Sequence, residues 1–340
     1  VSWAVRDAVL ALARELGFLA AGVADLAPSR RARELDEWLA SGFAGTMRYL
    51  HRQAGKRKHP AQIVPGARVA VVVLDNYLPP APPSPCQEPR SAPPFRPTAR
   101  IAKYARGRDY HLDLIERLER LAGFLRGRGA AVARAFADAG PVPERELAER
   151  AGLGWIGKNT MLIRPGAGSF VFIGSVFTDL DLEPTPPLET DHCGSCTRCL
   201  DACPTSALVA PRILDATRCI SYHTIESRLP IPEFVRERLD GWAFGCDVCN
   251  DVCPWNERFA QPTRRSAYHD RRAVALDDPG FFERMTEAEF AARFADTPLE
   301  RPGLAGMRRN YRAALHQGPG TGGRGSIGES TDPRPPPPDP

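Results

Sequence analysis

Nine cysteines occur in this chain of 340 residues, and eight of them crowd between positions 193 and 253. "CGSCTRCLDACP" sets Cys193, Cys196, Cys199 and Cys203 at the spacing C-x2-C-x2-C-x3-C-P. In that bacterial ferredoxin run the first three thiolates hold one cubane, and the fourth reaches across to another. "CDVCNDVCP" supplies Cys246, Cys249 and Cys253; on the same template Ala243 stands where its first cysteine belongs. Cys219, the remaining cysteine of the region, is the candidate replacement. The crossover then gives one 4Fe-4S cluster to Cys193, Cys196, Cys199 and Cys253, and a second to Cys203, Cys219, Cys246 and Cys249. Structural zinc would use only four ligands and would not explain a Cys-Pro closing both runs. A disulfide framework belongs to small secreted chains, and this chain is large. Such a segment moves electrons but makes no bond, so the bond-making chemistry is expected in the other half.

A second stretch invites a different chemistry. "AGLGWIGKN" (151–159) contains G-x-G-x-x-G at Gly152, Gly154 and Gly157, and lies one residue short of a P-loop, because Asn159 replaces the magnesium-binding hydroxyl. Both motifs require a strand before the glycines and a helix after them. Here "PVPERELAERAG" precedes, with Pro143 at a first helical turn and Gly152 placed to stop the helix. The order is reversed, which argues against a nucleotide loop. Two readings remain: a tight helix-to-strand turn, or a backbone passing close to a large flat ligand.

The elements that would position these residues are an α+β mixture. Val5, Val9, Leu12, Ala13 and Leu16 recur at helical spacing up to Gly17. "FLAAGVADL" reads as a short strand, and Ser29 is placed to cap a helix through Leu35, Trp38 and Leu39. "RVAVVVL" (68–74) is a buried central strand. Nine prolines between 79 and 97 mark an exposed loop that carries Cys86. Asp109 caps a helix with Leu112, Ile115, Leu118, Leu121 and Leu125 inward, followed by strands near 131–137 and 169–177. Thr286 with Glu289 forms a capping box, and "GMRRNYRAALHQG" is another helix. The division expected is 1–180 as a first domain, 181–260 as a ferredoxin-like domain, 261–316 as a helical region and 317–340 as a disordered tail.

Hydrophobic residues make up 43% and charged residues 25%, ordinary for a folded chain. No run approaches the roughly 18 to 20 apolar residues of a membrane helix, and the amphipathic N-terminal pattern is no secretory signal. A cytoplasmic protein is expected. The +4 formal charge is unevenly spread: Glu37 to Asp75 and Glu88 to Asp109 each enclose six cations and no acid. The first holds Arg48, Arg52, Lys56, Arg57, Lys58 and Arg68; the second includes Lys103, Arg106 and Arg108. Solvated faces are the ordinary fate of such runs, but two in one half of the chain suggest a polyanionic partner.

"YARGRDYH", "AGPVPERELAERAGLGWIGKNTMLI", "CISYHTIE" and "CDVCNDVCPWN", together with the cysteine region, resemble the epoxyqueuosine reductase family from the first helix to about residue 315. The resemblance implies a cobalamin-binding domain related to that of reductive dehalogenases, with a central sheet, followed by a ferredoxin-like domain with two 4Fe-4S clusters. It implies an oxidoreductase that reduces an epoxide to an alkene at the wobble base of tRNA during queuosine synthesis. Clusters charged by an external low-potential donor would reduce the cofactor to cob(I)alamin, and the protein would supply orientation and protons. Asp138 matches the family's general acid, its alternative role being an Asx turn before Gly140 and Pro141. Arg57, Tyr104, Asp138, Lys158, Asn159, Ser221 and Asp247 are the implied cobalamin contacts; Lys103, Arg106 and Arg108 are candidates for tRNA. A monomer is expected. The D-x-H-x-x-G signature of many cobalamin domains is absent, "DYHLDL" only half resembling it. Competing readings are a reductive dehalogenase-like enzyme for a small molecule and a non-catalytic electron-transfer module.

Overall fold

The computed structural model describes residues 2–80, 98–188, 191–271 and 273–315. Most of the proline-rich segment, with Cys86, and the whole expected tail lie outside the described residues.

Helix α1 (Ser2–Glu15) ends where Gly17 takes the expected left-handed φ of +81°. Strand β1 (Ala20–Asp25), α2 (Ala32–Ala40) and the basic α3 (Arg48–Lys58) follow. Ser29 does not cap α2. Its hydroxyl donates to Glu146 at 2.5 Å, because a buried carboxylate makes a stronger, charge-assisted partner, and the helix starts only at Ala32. The lobe continues with β2 (Val69–Asn76), β3 (Arg100–Ile101), α4 (Tyr110–Gly127), β4 (Ala133–Ala137), α5 (Glu144–Arg150), β5 (Trp155–Ile156), β6 (Leu162–Ile163) and β7 (Val171–Thr178).

Four strands form an antiparallel sheet in the order β1-β2-β7-β4, with Val69 opposite Thr178. Alternation divides β2 between two cores. Val69, Val71 and Val73 pack with Val9 and Ala13 of α1 and with Leu118 and Leu121 of α4; Ala70, Val72 and Leu74 pack with Leu147 and Ala148 of α5. With both faces covered, β2 reads as one continuous apolar run, as expected. The stripe expected along α4 is partly out of phase: Leu112 is 46% exposed, while Leu114 is buried with Leu118, Leu121 and Leu125. Asp109 caps the helix as expected by accepting from the His111 N–H, and Tyr110 is buried at its first turn.

A second lobe contains α6 (Arg198–Asp201), β8 (Leu208–Ala210), β9 (Ile213–Leu214), α7 (Glu233–Arg236), β10 (Trp242–Phe244), α8 (Val248–Asp251), α9 (Pro254–Phe259), α10 (Glu287–Phe294) and α11 (Gly303–Leu315). The capping box of Thr286 and Glu289 forms as expected. Phe290, Phe294, Met307 and Tyr311 pack around Phe282, behind Ala243 and Phe244 of β10. The lobes interlock across the linear divisions. β3 pairs in parallel with β10, the Thr263 N–H donates to the Leu78 carbonyl at 2.7 Å, and the Tyr268 hydroxyl meets Asp75 at 2.7 Å. No helix among the described residues is long and apolar enough to cross a membrane.

Candidate active site

The cysteines sit on short helices and the turns beside them. Cys193 and Cys196 precede α6, Cys199 lies within it, Cys203 follows it, Cys246 and Cys249 flank the start of α8, and Cys253 caps α9. All eight are free thiols. Cys193, Cys196, Cys199 and Cys253 line one chamber of about 230 Å³ with Ile163 and Trp255. The other four influence one another electrostatically: Cys203 and Cys219 both act on Cys246 and Cys249. Burial pushes Cys246 up to about 12 and raises Cys219 and Cys249 as well. This grouping is compatible with the two sets expected from the crossover. Exposed residues such as Gly194, Ser195 and Thr197 surround the first set, whereas buried Ala243, Phe244, Asp247 and Asn250 surround the second.

The glycine-rich stretch serves this scaffold. A β-carbon on Gly154 would run into the Ile163 carbonyl, one on Gly152 into that of Pro186, and one on Gly157 would come within 2.5 Å of Ile163 Cδ1. The close neighbour is the protein's own chain, so the tight-turn reading holds, and the large-ligand reading of the glycines does not. Lys158 Nζ donates to the Gly194 carbonyl at 2.6 Å, and Asn159 Nδ2 to that of Cys249 at 3.1 Å. Both line the cysteine chamber, each with one bond to the backbone of the cysteine region. Asn256 adds a buried knot, donating to Ser169 Oγ and to the Asn250 carbonyl, each at 2.8 Å.

Asp138 lies on the loop between β4 and α5, at a left-handed φ of +50° that Asp tolerates better than most residues. Its N–H donates to Glu144 Oε1 at 2.6 Å. The Tyr110 hydroxyl donates to its Oδ2, and His111 Nε2 stands 3.8 Å from the same oxygen. The side chain is 60% exposed. The carboxyl with the raised pKa is Glu144, pushed up to about 8 by burial and then by the charge of Asp138. Tyr110 is stacked on Phe172 with ring centres 4.0 Å apart, and Tyr104 meets Tyr110 edge-on at 6.1 Å. Burial lifts the Tyr104 phenol far above its ordinary value, and its charged neighbours include Asp138, Asp247 and Glu226. Tyr49, also raised by burial, faces Glu226, Arg301, Arg57 and Asp138. Arg57 donates to the Val142 and Gly140 carbonyls, both at 3.2 Å, and its buried Nε has no partner among the described residues.

Two family models match: the 4Fe-4S double cluster binding domain over residues 192–256, and epoxyqueuosine reductase QueG, DUF1730, over 57–139. The epoxyqueuosine reductase of Pseudomonas aeruginosa is 40% identical over 311 residues, covering 91% of this chain and 84% of that protein. That of Gloeobacter violaceus is 40% identical over 313 residues, covering 89% and 93%. The chain belongs to the epoxyqueuosine reductase family. Among solved structures it resembles an epoxyqueuosine reductase bound to an epoxyqueuosine-modified tRNA-Tyr stem loop, with a TM-score of 0.80 and 28% identity over 92% of this chain and 81% of that one. It also resembles the Bacillus subtilis epoxyqueuosine reductase, solved with an aspartate-bearing catalytic loop swung out of the active site, at a TM-score of 0.78 and 29% identity over 92% and 81%.

Within this family fold, the other expected contacts are found as follows. Asp247 is buried against cluster-side residues and accepts from the Lys103 N–H at 2.8 Å. Ser221 borders the single π-helical turn Tyr222–Glu226, beside Cys219. The Lys103 ammonium is held by Asp251 and lies 3.6 Å from Asp247. Arg106 turns Nε onto the Ile101 carbonyl at 2.9 Å, leaving only Arg108 of that group exposed. Sequence reasoning missed Tyr110, His111, Glu144, Tyr49 and the Glu226–Arg301 pair, which is closed at 2.9 Å. "RDYH" and "CISYHTIE" contain three of these residues, and only the family resemblance drew attention to them.

Proposed function

We propose that this chain reduces the epoxide of epoxyqueuosine in tRNA to the alkene of queuosine. Two electrons and two protons enter, and the oxygen leaves as water. The observation that carries this reading is the position of Tyr104, whose ring meets Tyr110, the donor to Asp138, at 6.1 Å and Phe244, two residues before Cys246, at 6.0 Å. A short aromatic path therefore joins the acid to the second thiol set.

Two groups of four thiols fit two 4Fe-4S clusters, which would supply one-electron carriers fed by an external low-potential donor. Around the Asp138 loop stand the ring of Tyr104, the Arg57 Nε that is partnerless among the described residues, and the Asp138 carboxyl, a mixed set suited to an amide-fringed corrin. Arg57, Tyr104, Asp138, Ser221 and Asp247 would border cobalamin, which when bound supplies a strongly nucleophilic cobalt. Asp138 delivers the proton to the departing oxygen. Tyr110 occupies Oδ2, leaving Oδ1 to carry that proton. Glu144 remains protonated near neutral pH and steadies the loop through the Asp138 N–H, while His111 is placed to restore the proton. The enzyme works as a cytoplasmic monomer.

The test is anaerobic reconstitution with iron, sulfide and cobalamin, followed by incubation with an epoxyqueuosine-bearing stem loop and a strong reductant. Nucleoside mass spectrometry should show queuosine only when cobalamin and reductant are both present. Protein that takes up iron but no cobalamin would support the electron-transfer module instead. Halide release from small organohalides without conversion of the stem loop would support the dehalogenase-like reading.

A further inference from the structure

Helix α3 is unusual in having no buried residue, and no acid occurs in sequence between Glu37 and Asp75. Two adjoining stripes run along it. Tyr49, Gln53 and Arg57, four residues apart, form the stripe turned to the Asp138 loop: Tyr49 has Asp138 among its charged neighbours, and Arg57 bonds Gln53 at 3.4 Å as well as the carbonyls of Gly140 and Val142. One residue earlier at each step come Arg48, Arg52 and Lys56, all exposed. Among the described residues none of these three side chains has an ion pair or a hydrogen bond. Lys58, by contrast, is closed on Asp36 at 2.8 Å.

The helical rise sets the three free cations about 6 Å apart along about 12 Å of one face. Like charges four residues apart destabilise a helix, and no acid of α3 offsets them. A row of this kind is matched by a flexible chain of regularly spaced anions. We propose that the Arg48–Arg52–Lys56 row grips the phosphate backbone of the tRNA anticodon arm, and that Arg57, on the adjoining stripe, couples that grip to the loop carrying Asp138. This rests on the tRNA reading above and specifies where the RNA lies. Arg57 is a positioning residue: its two carbonyl bonds hold the segment just after Asp138, so RNA seated on α3 and the Asp138 acid share one rigid element.

The test uses the full chain reconstituted with its clusters and cobalamin, and a stem loop bearing epoxyqueuosine. In Arg48→Gln/Arg52→Gln/Lys56→Gln, the slope of log affinity against log salt should flatten by about 2 to 3, from a loss of about 0.7 to 0.9 per released phosphate contact. Iron content should not change, because the three side chains are exposed. Lys103→Gln/Arg106→Gln should keep the wild-type slope. Arg57→Lys, which cannot span two carbonyls, should keep the slope but slow single turnover at saturating stem loop. A triple variant with the wild-type slope overturns the placement on α3. An Arg57→Lys variant with the wild-type rate overturns the coupling. If the wild type itself neither binds nor converts the stem loop, the functional reading fails first, and that outcome is distinct from both.

Discussion

Asp138→Asn separates proton delivery from shape. Asn tolerates the left-handed backbone at φ +50° about as well as Asp does, and the 2.6 Å bond from the main-chain N–H to Glu144 does not involve the replaced group. Tyr110 can donate to the amide oxygen as it does to the carboxylate; exchanging a charge-assisted bond for a neutral one costs about 1 kcal/mol, and less at so exposed a side chain. Stability should therefore hardly move. The loss of the acid is of another size: about 10²- to 10⁴-fold in turnover, or about 3 to 5 kcal/mol of barrier at 1.36 kcal/mol per tenfold. Asp138→Ala adds a backbone penalty of roughly 1 to 2 kcal/mol and orphans Tyr110, so it should melt lower without being much slower than the Asn variant. Single-turnover conversion of an epoxyqueuosine stem loop, measured by nucleoside mass spectrometry beside iron content and cobalamin absorbance, reads both quantities. Conversion by Asp138→Asn within about threefold of wild type, with cofactors intact, would refute proton delivery by this residue. A rate that falls only in step with lost cobalamin would make Asp138 a cofactor contact.

Cys219→Ser should lower iron from about eight to about four per chain, whereas Cys86→Ser should leave it at about eight; an unchanged count in the former removes Cys219 from the ligand set. Glu144, raised from 4.5 to about 8, contributes stability that is full below pH 4.5 and lost as pH rises toward 8, so Glu144→Gln should gain on wild type across that window. The gain has a ceiling of about 5 kcal/mol, and a melting-temperature gap that does not change with pH would contradict the burial of this acid. Arg117→Met should cost about 3 to 5 kcal/mol, because it leaves Asp75, only 2% exposed, short of its main counter-charge; urea midpoints read the loss, and Asp75→Asn in the same chain should restore part of it.

The grouping of the cysteines was legible because much of it follows local spacing, the crossover rule brings Cys253 and Cys203 to the opposite sets, and Cys219 enters by counting. Strand β2 was legible because burial on both faces leaves a continuous apolar run. The phase of α4 was not, since helical spacing permits either Leu112 or Leu114 inward, and it is packing of Leu114 and Leu118 against Gly174 of β7 that shows which. The glycines at 152, 154 and 157 failed for a deeper reason. A glycine reports only that something comes close, and a bound macrocycle and the carbonyls of Ile163 and Pro186 leave the same trace in a sequence.

The two acid-free windows show where linear reasoning stops. Each has six cations and no acid, and nothing in either stretch ranks one above the other. Folding brings Asp247 and Asp251, 144 and 148 residues away, onto Lys103, and turns Arg106 onto a backbone carbonyl. Among the described residues no acid pairs with Arg48, Arg52 or Lys56, and the same helix presents Arg57 to the carbonyls beyond Asp138. Net charge in a window counts only neighbours in sequence, whereas an anion meets the potential left after neighbours in space have been paired. That criterion is the ground for proposing α3 as the RNA-facing row, while Lys103 links the cluster-bearing lobe to the lobe that holds the acid.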